Sequence, residues 1–258
     1  MQCLDKYRSK LVTDTNRQLR ILLESPDEAA VHDFRVGIKR LRAFYEFLDR
    51  VDEKLSAKKL LQPYRAMFKK LGRIRDAHIA IGLIEELEPT PNPQSKQLIG
   101  LLRSKIRGDY RGFRKLVGND RNLSIKLPTI RAAETPPAAI ARQKPVYLDG
   151  LLAKILPSEK RMNTNEWHRK RILLKSYRYT LEAFNLCPGH KVDERELRRI
   201  SMLEQLLGDW HDRVITAELL QSMPASAADP AAWIRQLKSQ DRMLLGAAKI
   251  YLDRFARS

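Results

Sequence analysis

Two stretches of the chain carry one histidine and three cationic side chains at the same spacing. In each stretch these side chains lie at offsets 0, 3, 7 and 10, which on a helix gathers them into an arc of about 80°. Arginine can donate to two phosphate oxygens at once, and lysine supplies a compact positive charge. The spacing therefore predicts two anion-binding helix faces. We name them the first stripe, His32, Arg35, Lys39 and Arg42, and the second stripe, His168, Arg171, Lys175 and Arg178.

Cationic residues on one face of a single helix are most often an ordinary solvated surface. A solvated helix, however, usually mixes charges of both signs at i,i+4, and no Asp or Glu shares the arc of either stripe. Like charges at this spacing destabilise a helix unless an anion lies between them. We therefore favour anion binding. Glu46 and Glu182 follow one turn later, where each is placed to pair with the arginine four residues before it.

The chain is duplicated at a constant shift of 136 positions. The shift superposes both stripes, the two glutamates that follow them, and a second signature, Leu-Gly-x-x-x-Asp, at residues 71–76 and 207–212. Glycine inside a helix usually reports a close approach by another element. Asp76 and Asp212 are predicted to hold an arginine of the stripes, with a solvent-facing aspartate as the open alternative. The repeat indicates two copies of one helical unit.

The two stripe histidines, His32 and His168, are interpreted as phosphate donors rather than metal ligands. A nearby phosphate would raise the pKa of each histidine and favour its charged form. Neither histidine has a second His or a Cys at ligand spacing, and the neighbouring cations would repel a metal ion. We expect no metal site, no cofactor and no catalytic residue, because the chain carries no Gly-rich phosphate loop, GxSxG motif or paired-cysteine pattern.

Further cations lie outside the stripes and are assigned to additional anion binding. Arg75 and its counterpart His211 are placed at the edge of a cleft. Four arginines share one side of the fourth predicted helix, and four cations share one side of the last. We name these eight the outer cations: Arg103, Arg107, Arg111, Arg114, Arg235, Lys238, Arg242 and Lys249.

Helical periodicity runs through most of the chain, and no alternating runs of Val, Ile and Thr indicate strands. Helices are predicted at about residues 4–24, 27–50, 55–88 with a kink or break at Pro63, 94–117, 146–156, 164–186, 193–221 and 230–257. Proline and glycine interrupt the pattern over residues 118–145, which we predict to be a linker. The predicted fold class is all-α, with two antiparallel four-helix bundles, residues 1–117 and 146–258, related by the internal duplication.

Composition limits the classes of partner. The 258 residues include 49 Lys and Arg against 31 Asp and Glu, for a net charge of +18, which a polyanion would neutralise. Cys3 and Cys187 show no paired spacing, which favours a reducing compartment and argues against a disulfide framework. The charged first segment is no secretory signal, and no apolar run is long enough to span a bilayer. We expect a soluble cytoplasmic protein without a membrane partner.

The paired stripes, each followed by the Leu-Gly-x-x-x-Asp signature, resemble the CHAD domain, an α-helical family named for its histidines. The likeness runs from the first helix to the last. The resemblance implies two four-helix bundles related by a pseudo-twofold axis, with a basic groove between them that binds inorganic polyphosphate. It also implies association with polyphosphate granules or with polyphosphate-metabolising enzymes, which would act in trans because no catalytic domain accompanies this chain. The outer cations carry over less directly, since their registers do not superpose under the shift of 136.

We therefore predict a non-enzymatic polyphosphate-binding protein with the two stripes as its site. One alternative is a nucleic-acid-binding protein, against which the 7% aromatic content and the absence of a recognised binding motif argue. The other alternative is a phosphohydrolase that uses His32 or His168. The release of phosphate from polyphosphate or triphosphate would identify the hydrolase.

Overall fold

The computed structural model describes residues 2–52, 54–118, 123–130, 136–156, 162–187, 193–223 and 230–256, and all regular secondary structure within these ranges is helical. The α-helices are α1 (Gln2–Glu24), α2 (Glu28–Leu48), α3 (Ala57–Leu61), α4 (Arg65–Leu87), α5 (Pro93–Val117), α6 (Pro137–Ile155), α7 (Thr164–Asn185), α8 (Glu194–Gln221) and α9 (Ala231–Ala256). The prediction of an all-α fold is confirmed.

Most helix boundaries agree with the sequence because local capping residues set them. Asp27 accepts a hydrogen bond from the backbone N–H of Ala30 at 2.7 Å and so begins α2. Asn163 and Glu166 form a capping box at the start of α7. The predicted third helix is split at Pro63, as expected, by a single 3-10 turn between α3 and α4.

The predicted linker of residues 118–145 is wrong from residue 137 onward, and an earlier part of it packs into the core. Helix α6 begins at Pro137 rather than at Val146 and continues through Pro145, which lies inside it. Ile125 is buried in the core, and its backbone exchanges hydrogen bonds with the side chain of Asn16 at 2.7 and 3.1 Å. Periodicity could not identify either segment, because one contains an internal proline and the other is held by tertiary contacts. Residues 119–122 and 131–135 of the predicted linker lie outside the described residues.

The helices pack as pairs of antiparallel neighbours, and pairs from the two halves contact each other in the middle of the molecule. Helix α1 packs on α2, α4 on α5, α6 on α7, and α8 on α9. The first and second halves join where α2 packs on α7 and α4 packs on α8. The pairs correspond in order under the shift of 136, which is consistent with the predicted duplication. The predicted division into residues 1–117 and 146–258 stays a prediction.

The apolar backs of the stripe helices form the core, as expected. Phe34, Leu41 and Leu48 of α2 are fully buried, and Phe184 of α7 is 2% exposed. Phe47 of α2 contacts Phe184 edge to face, with ring centroids 5.1 Å apart. One buried cluster therefore includes residues of both halves, and the two stripe helices are fixed against each other by this cluster.

The expectation from the two cysteines is wrong. Cys3 of α1 and Cys187, just after α7, form a disulfide with their Cα atoms 5.3 Å apart. Their separation of 184 residues gives no local signal, and only the packing of α1 against α7 brings them together. The cysteines therefore no longer support a reducing compartment. No helix of the described segments has the length and apolar character needed to cross a membrane.

Candidate functional site

A cavity of about 560 Å³ lies between α2, α4, α7 and α8. Helices α2 and α7 contribute their stripes, and α4 and α8 contribute residues of the Leu-Gly-x-x-x-Asp signature. We name this cavity the basic pocket. All eight stripe residues line it: His32, Arg35, Lys39, Arg42, His168, Arg171, Lys175 and Arg178. Residues 136 positions apart in the sequence are thus brought together in one site.

The first stripe lies against an aromatic ring. The guanidinium of Arg35 donates to the carbonyl oxygen of Phe68 at 2.7 Å, and its Cζ lies 4.3 Å from the centre of the Phe68 ring. The Cζ of Arg42 lies 5.6 Å from the same ring. No carboxylate forms an ion pair with Arg35, Lys39 or Arg42 within the described ranges. The three cations of this stripe therefore face the pocket without an ion-pair partner among the described residues.

The second stripe contacts a buried carboxylate. Glu204 of α8 is 8% exposed and accepts a hydrogen bond from Lys175 at 2.9 Å. Arg178 forms an ion pair with Glu204 and, as the sequence predicts, with Glu182. The corresponding prediction for Glu46 fails, because Glu46 influences Arg42 only through its charge and forms no ion pair with it. The two stripes therefore have the same composition and different neighbours.

Gly72 explains why the second signature contains a glycine. A Cβ built on Gly72 would lie 2.7 Å from Nη1 of Arg35, so the absent side chain leaves the space that this guanidinium occupies. The corresponding Gly208 lines the pocket, and a Cβ built there would meet nothing within 4 Å. The predicted close approach is therefore present at Gly72 and absent at Gly208.

Asp76 and Asp212 line the pocket without forming an ion pair with a stripe residue in the described part of the chain. Burial raises the pKa of Asp76, although Arg35 opposes that shift. Burial lowers the pKa of Arg171, and Asp212 opposes that shift. Each aspartate therefore acts on the arginine of its own half through its charge, rather than by the direct hold that the sequence suggested.

Lys39 is the most strongly perturbed cation of the pocket. Burial and the neighbouring charges of Arg35, Lys175 and Arg171 lower the pKa of Lys39 to about 7. Burial and the charges of Arg171 and Arg178 also lower the pKa of Lys175, although Glu204 opposes that shift. The Nε of Arg171 is buried and has no hydrogen-bond partner among the described residues. A bound anion would stabilise these closely spaced cations and would accept a hydrogen bond from the Nε–H of Arg171.

The histidines lie at the same end of the two stripe helices. The rings of His168 and His211 have centroids 4.8 Å apart. Burial and the charge of Arg171 lower the pKa of His211 to about 3, and burial lowers the pKa values of His32 and His168 as well. The unliganded site thus favours neutral histidines. A bound anion would shift all three pKa values upward.

Of the additional cations, only those predicted at the cleft reach the pocket. Arg75 and His211 line it, and Arg75 also pairs with Glu28 at 2.8 Å. The outer cations do not line the pocket, because α5 and α9 pack on α4 and α8 through their apolar faces and direct their cationic faces outward. Arg107, Arg111 and Arg235 are exposed, whereas Arg114 donates to the carbonyl oxygen of Leu23.

Sequence reasoning missed pocket residues that lie outside the stripes and the Leu-Gly-x-x-x-Asp signature. Phe68 and Glu204 each lie one helical turn before the glycine of the signature, and Tyr179 follows Arg178. A signal was available, because residues four apart share a helix face. The comparison of the two copies considered only identical residues. It therefore passed over this position, because the shift of 136 pairs Phe68 with Glu204.

The arrangement can bind an extended anion along two walls. Arginine forks and lysine ammonium groups from α2 and α7 can donate to successive acidic groups of one ligand. Among the described residues, no three or more His, Cys, Asp or Glu side chains are grouped as a metal site. The predictions of no cofactor and no metal stay predictions.

Comparisons with known proteins agree with this fold. A family model described as the CHAD domain matches residues 6–221. The crystal structure of the CHAD domain from the plant Ricinus communis superposes with a TM-score of 0.72 at 20% identity, covering 97% of this chain and 90% of that chain. PptA from Streptomyces chartreusis superposes with a TM-score of 0.66 at 18% identity, covering 100% and 99% respectively. No curated protein sequence matches this chain.

Proposed function

The chain belongs to the CHAD domain family, and from this membership we propose that it binds inorganic polyphosphate in the basic pocket without catalysing a reaction. One observation carries the proposal. The eight stripe residues, which come from two distant segments of the sequence, line one cavity. A ligand with a negative charge at every repeat unit would engage cations on both walls at once.

The charge balance of the pocket supports a polyanion over a single small anion. Seven Arg and Lys side chains line it, against four carboxylates. Each neutralised phosphate releases bound counterions, so affinity for a polyphosphate chain should fall steeply as salt rises. Because the buried Nε–H of Arg171 has no hydrogen-bond partner among the described residues, a phosphate oxygen in the pocket would also satisfy a group that otherwise destabilises the folded state.

Two aromatic faces near the stripes favour polyphosphate over nucleic acid. The Phe68 ring is covered by Arg35 at 4.3 Å, and the Tyr179 ring has the Cζ of Arg178 at 4.7 Å and that of Arg40 at 5.5 Å. Nucleic-acid bases bind single-strand proteins largely by stacking on free aromatic faces. Here guanidinium groups occupy those faces, so the pocket offers charge and little stacking surface.

The cellular role follows from the ligand in this proposal. A non-enzymatic domain that binds polyphosphate would bring the chain to polyphosphate granules or assist polyphosphate-metabolising enzymes in trans. We place it in the cytoplasm for that reason alone, since the disulfide removes the argument from the cysteines. Co-localisation of a fluorescent fusion with stained granules, lost when Arg35 and Arg171 are both changed to alanine, tests this part.

Binding of a medium-length polyphosphate at two salt concentrations tests the proposal, with a length-matched RNA as competitor and an assay for released phosphate. Tight, salt-sensitive binding that resists RNA and releases no phosphate is the expected result. Preferential binding of RNA would replace the proposal with nucleic-acid binding. Sustained phosphate release that requires His32 or His168 would replace it with hydrolysis.

A further inference from the structure

The two walls of the basic pocket differ at one pair of corresponding positions. Phe68 of α4 and Glu204 of α8 are separated by the shift of 136 that relates the halves, and both line the pocket. Each lies one helical turn before the glycine of the Leu-Gly-x-x-x-Asp signature. The same position therefore presents an uncharged ring to the first stripe and a carboxylate to the second.

The contacts of these two residues show what the difference does. The Phe68 ring supports Arg35 and Arg42 by cation–π contact and, unlike a carboxylate, adds no negative charge beside them. Glu204 bridges Lys175, at 2.9 Å, and Arg178, whose Nη2 lies 3.1 Å from its Oε1. Burial would raise the pKa of Glu204, but Lys175 and Arg178 outweigh it and hold the pKa below its usual value. Glu204 is therefore a charged anion already bound to half of the second stripe.

The remaining charged residues of the pocket extend this asymmetry. The first half contributes four Arg and Lys side chains and one carboxylate to the pocket, whereas the second half contributes three of each. The first-half residues are Arg35, Lys39, Arg42 and Arg75 with Asp76, and the second-half residues are Arg171, Lys175 and Arg178 with Glu204, Asp209 and Asp212.

We propose that polyphosphate binds this pocket asymmetrically, with the first stripe as the anchoring subsite and Glu204 as an internal competitor that weakens the second. This inference rests on the proposed function and identifies a residue that sets affinity within it. A phosphate chain anchored on Arg35, Lys39 and Arg42 reaches Lys175 and Arg178 only by displacing the Glu204 carboxylate. Glu204 therefore limits how tightly a chain that spans both walls is held.

Glu204→Gln tests the inference, because the amide keeps the size of the side chain and removes its charge. The expected result is a gain in affinity for medium-length polyphosphate on the order of tenfold at low salt, since a like charge beside the ligand is removed. The dependence of affinity on salt should become steeper by about one to two released counterions. Unchanged or weaker binding would mean that Glu204 positions Lys175 and Arg178 for the ligand, and would overturn the inference.

Glu194→Gln is the matched control. Glu194 lies on α8, as Glu204 does, but it pairs with Arg198 at 3.2 Å on the exposed surface and does not line the pocket. This variant changes the net charge by the same amount, so its affinity should stay within about twofold of the wild type because an exposed ion pair outside the pocket contributes little. An equal gain in both variants would overturn the inference, since the effect would then be one of net charge.

The reciprocal change introduces a carboxylate at the corresponding position of the first half. Phe68→Glu places an acid beside Arg35 and Arg42 and should lower affinity more than Phe68→Leu, which removes the ring without adding charge. Circular dichroism and thermal unfolding identify the variants that fold, and only those are compared. A wild-type chain that does not bind polyphosphate would refute the proposed function itself. Wild-type binding with Phe68→Glu equal to Phe68→Leu would refute only the asymmetry.

Discussion

The guanidinium of Arg35 occupies the space that a side chain on Gly72 would fill. A Cβ on Gly72 would lie 2.7 Å from Nη1 of Arg35, the same nitrogen that donates to the carbonyl oxygen of Phe68 at 2.7 Å. The glycine of α4 thus allows one cation of α2 to be held in a fixed orientation at the wall of the pocket. Gly72, which has no side chain, therefore helps to determine where the guanidinium of Arg35 lies in the pocket.

Gly72→Ala should weaken polyphosphate binding about tenfold while the fold is retained. The added methyl group shifts the end of the Arg35 side chain from the orientation that its hydrogen bond to Phe68 fixes, and a weakened charge-assisted hydrogen bond from Arg35 to the ligand would cost up to roughly 1.5–3 kcal/mol. Titration calorimetry with polyphosphate measures the loss. Gly82→Ala on the same helix is the control, because a Cβ there meets nothing within 4 Å. The control should bind normally and gain up to about 1 kcal/mol of stability from helix propensity. Normal binding by Gly72→Ala would contradict this account of Arg35.

Binding should be coupled to proton uptake at Lys39. In the free protein the pKa of Lys39 is about 7, since burial and the nearby Arg35, Lys175 and Arg171 disfavour the ammonium form while Asp212 favours it. A bound phosphate adds negative charge and raises that pKa. The ligand therefore prefers the protonated form, so affinity is highest below about pH 7 and falls as pH rises above it.

Calorimetry at pH 8 in buffers of different ionisation enthalpy measures this coupling. The wild type should take up a substantial fraction of a proton for each chain bound, because Lys39 is mostly neutral before binding and charged afterwards. Lys39→Met should reduce that uptake and flatten the pH dependence above pH 7. Equal proton uptake by the wild type and Lys39→Met would assign the titrating group to another residue.

Reduction of the Cys3–Cys187 bond should destabilise the fold. The bond joins residues 184 positions apart, and opening so long a loop costs about 2–5 kcal/mol by the loop-entropy argument and the usual experimental range. Thermal unfolding with and without reductant should show a clear fall in Tm for the wild type. Cys3→Ser should have the lower Tm already and respond little to reductant. Insensitivity of the wild type to reductant would show that the bond contributes no stability.

The sequence predicted the parts of the site that depend on periodicity. Each stripe is local to one helix, so its arc follows from residue spacing alone. The apolar backs of α2 and α7, such as Phe34 and Phe184, are buried where the same periodicity places them. The Leu-Gly-x-x-x-Asp signature was recognised because it is repeated, and Asp76 of the first copy and Gly208 and Asp212 of the second line the pocket.

The features that the sequence did not predict depend on tertiary contacts. Glu204 and Phe68 acquire their roles from stripes on neighbouring helices, and their difference is invisible to a search for identical positions. The contact between Cys3 and Cys187 depends on how α1 meets α7. The outer cations on α5 and α9 were assigned from their charge, although each of these helices packs with its cationic face away from the pocket.

The measurement that tests the central claim most directly compares polyphosphate binding by the wild type with that of Arg35→Ala/Arg171→Ala. The matched control is Arg107→Ala/Arg111→Ala, which removes the same charge from exposed positions of α5 outside the pocket. The account predicts at least a tenfold loss for the pocket pair, on the order of the 1.5–3 kcal/mol of one charged hydrogen bond, with helix content retained. It predicts a loss of less than about threefold for the control, since exposed charges contribute little. Equal losses in the two double variants, or normal binding by the pocket pair, would contradict the assignment of the basic pocket as the polyphosphate site.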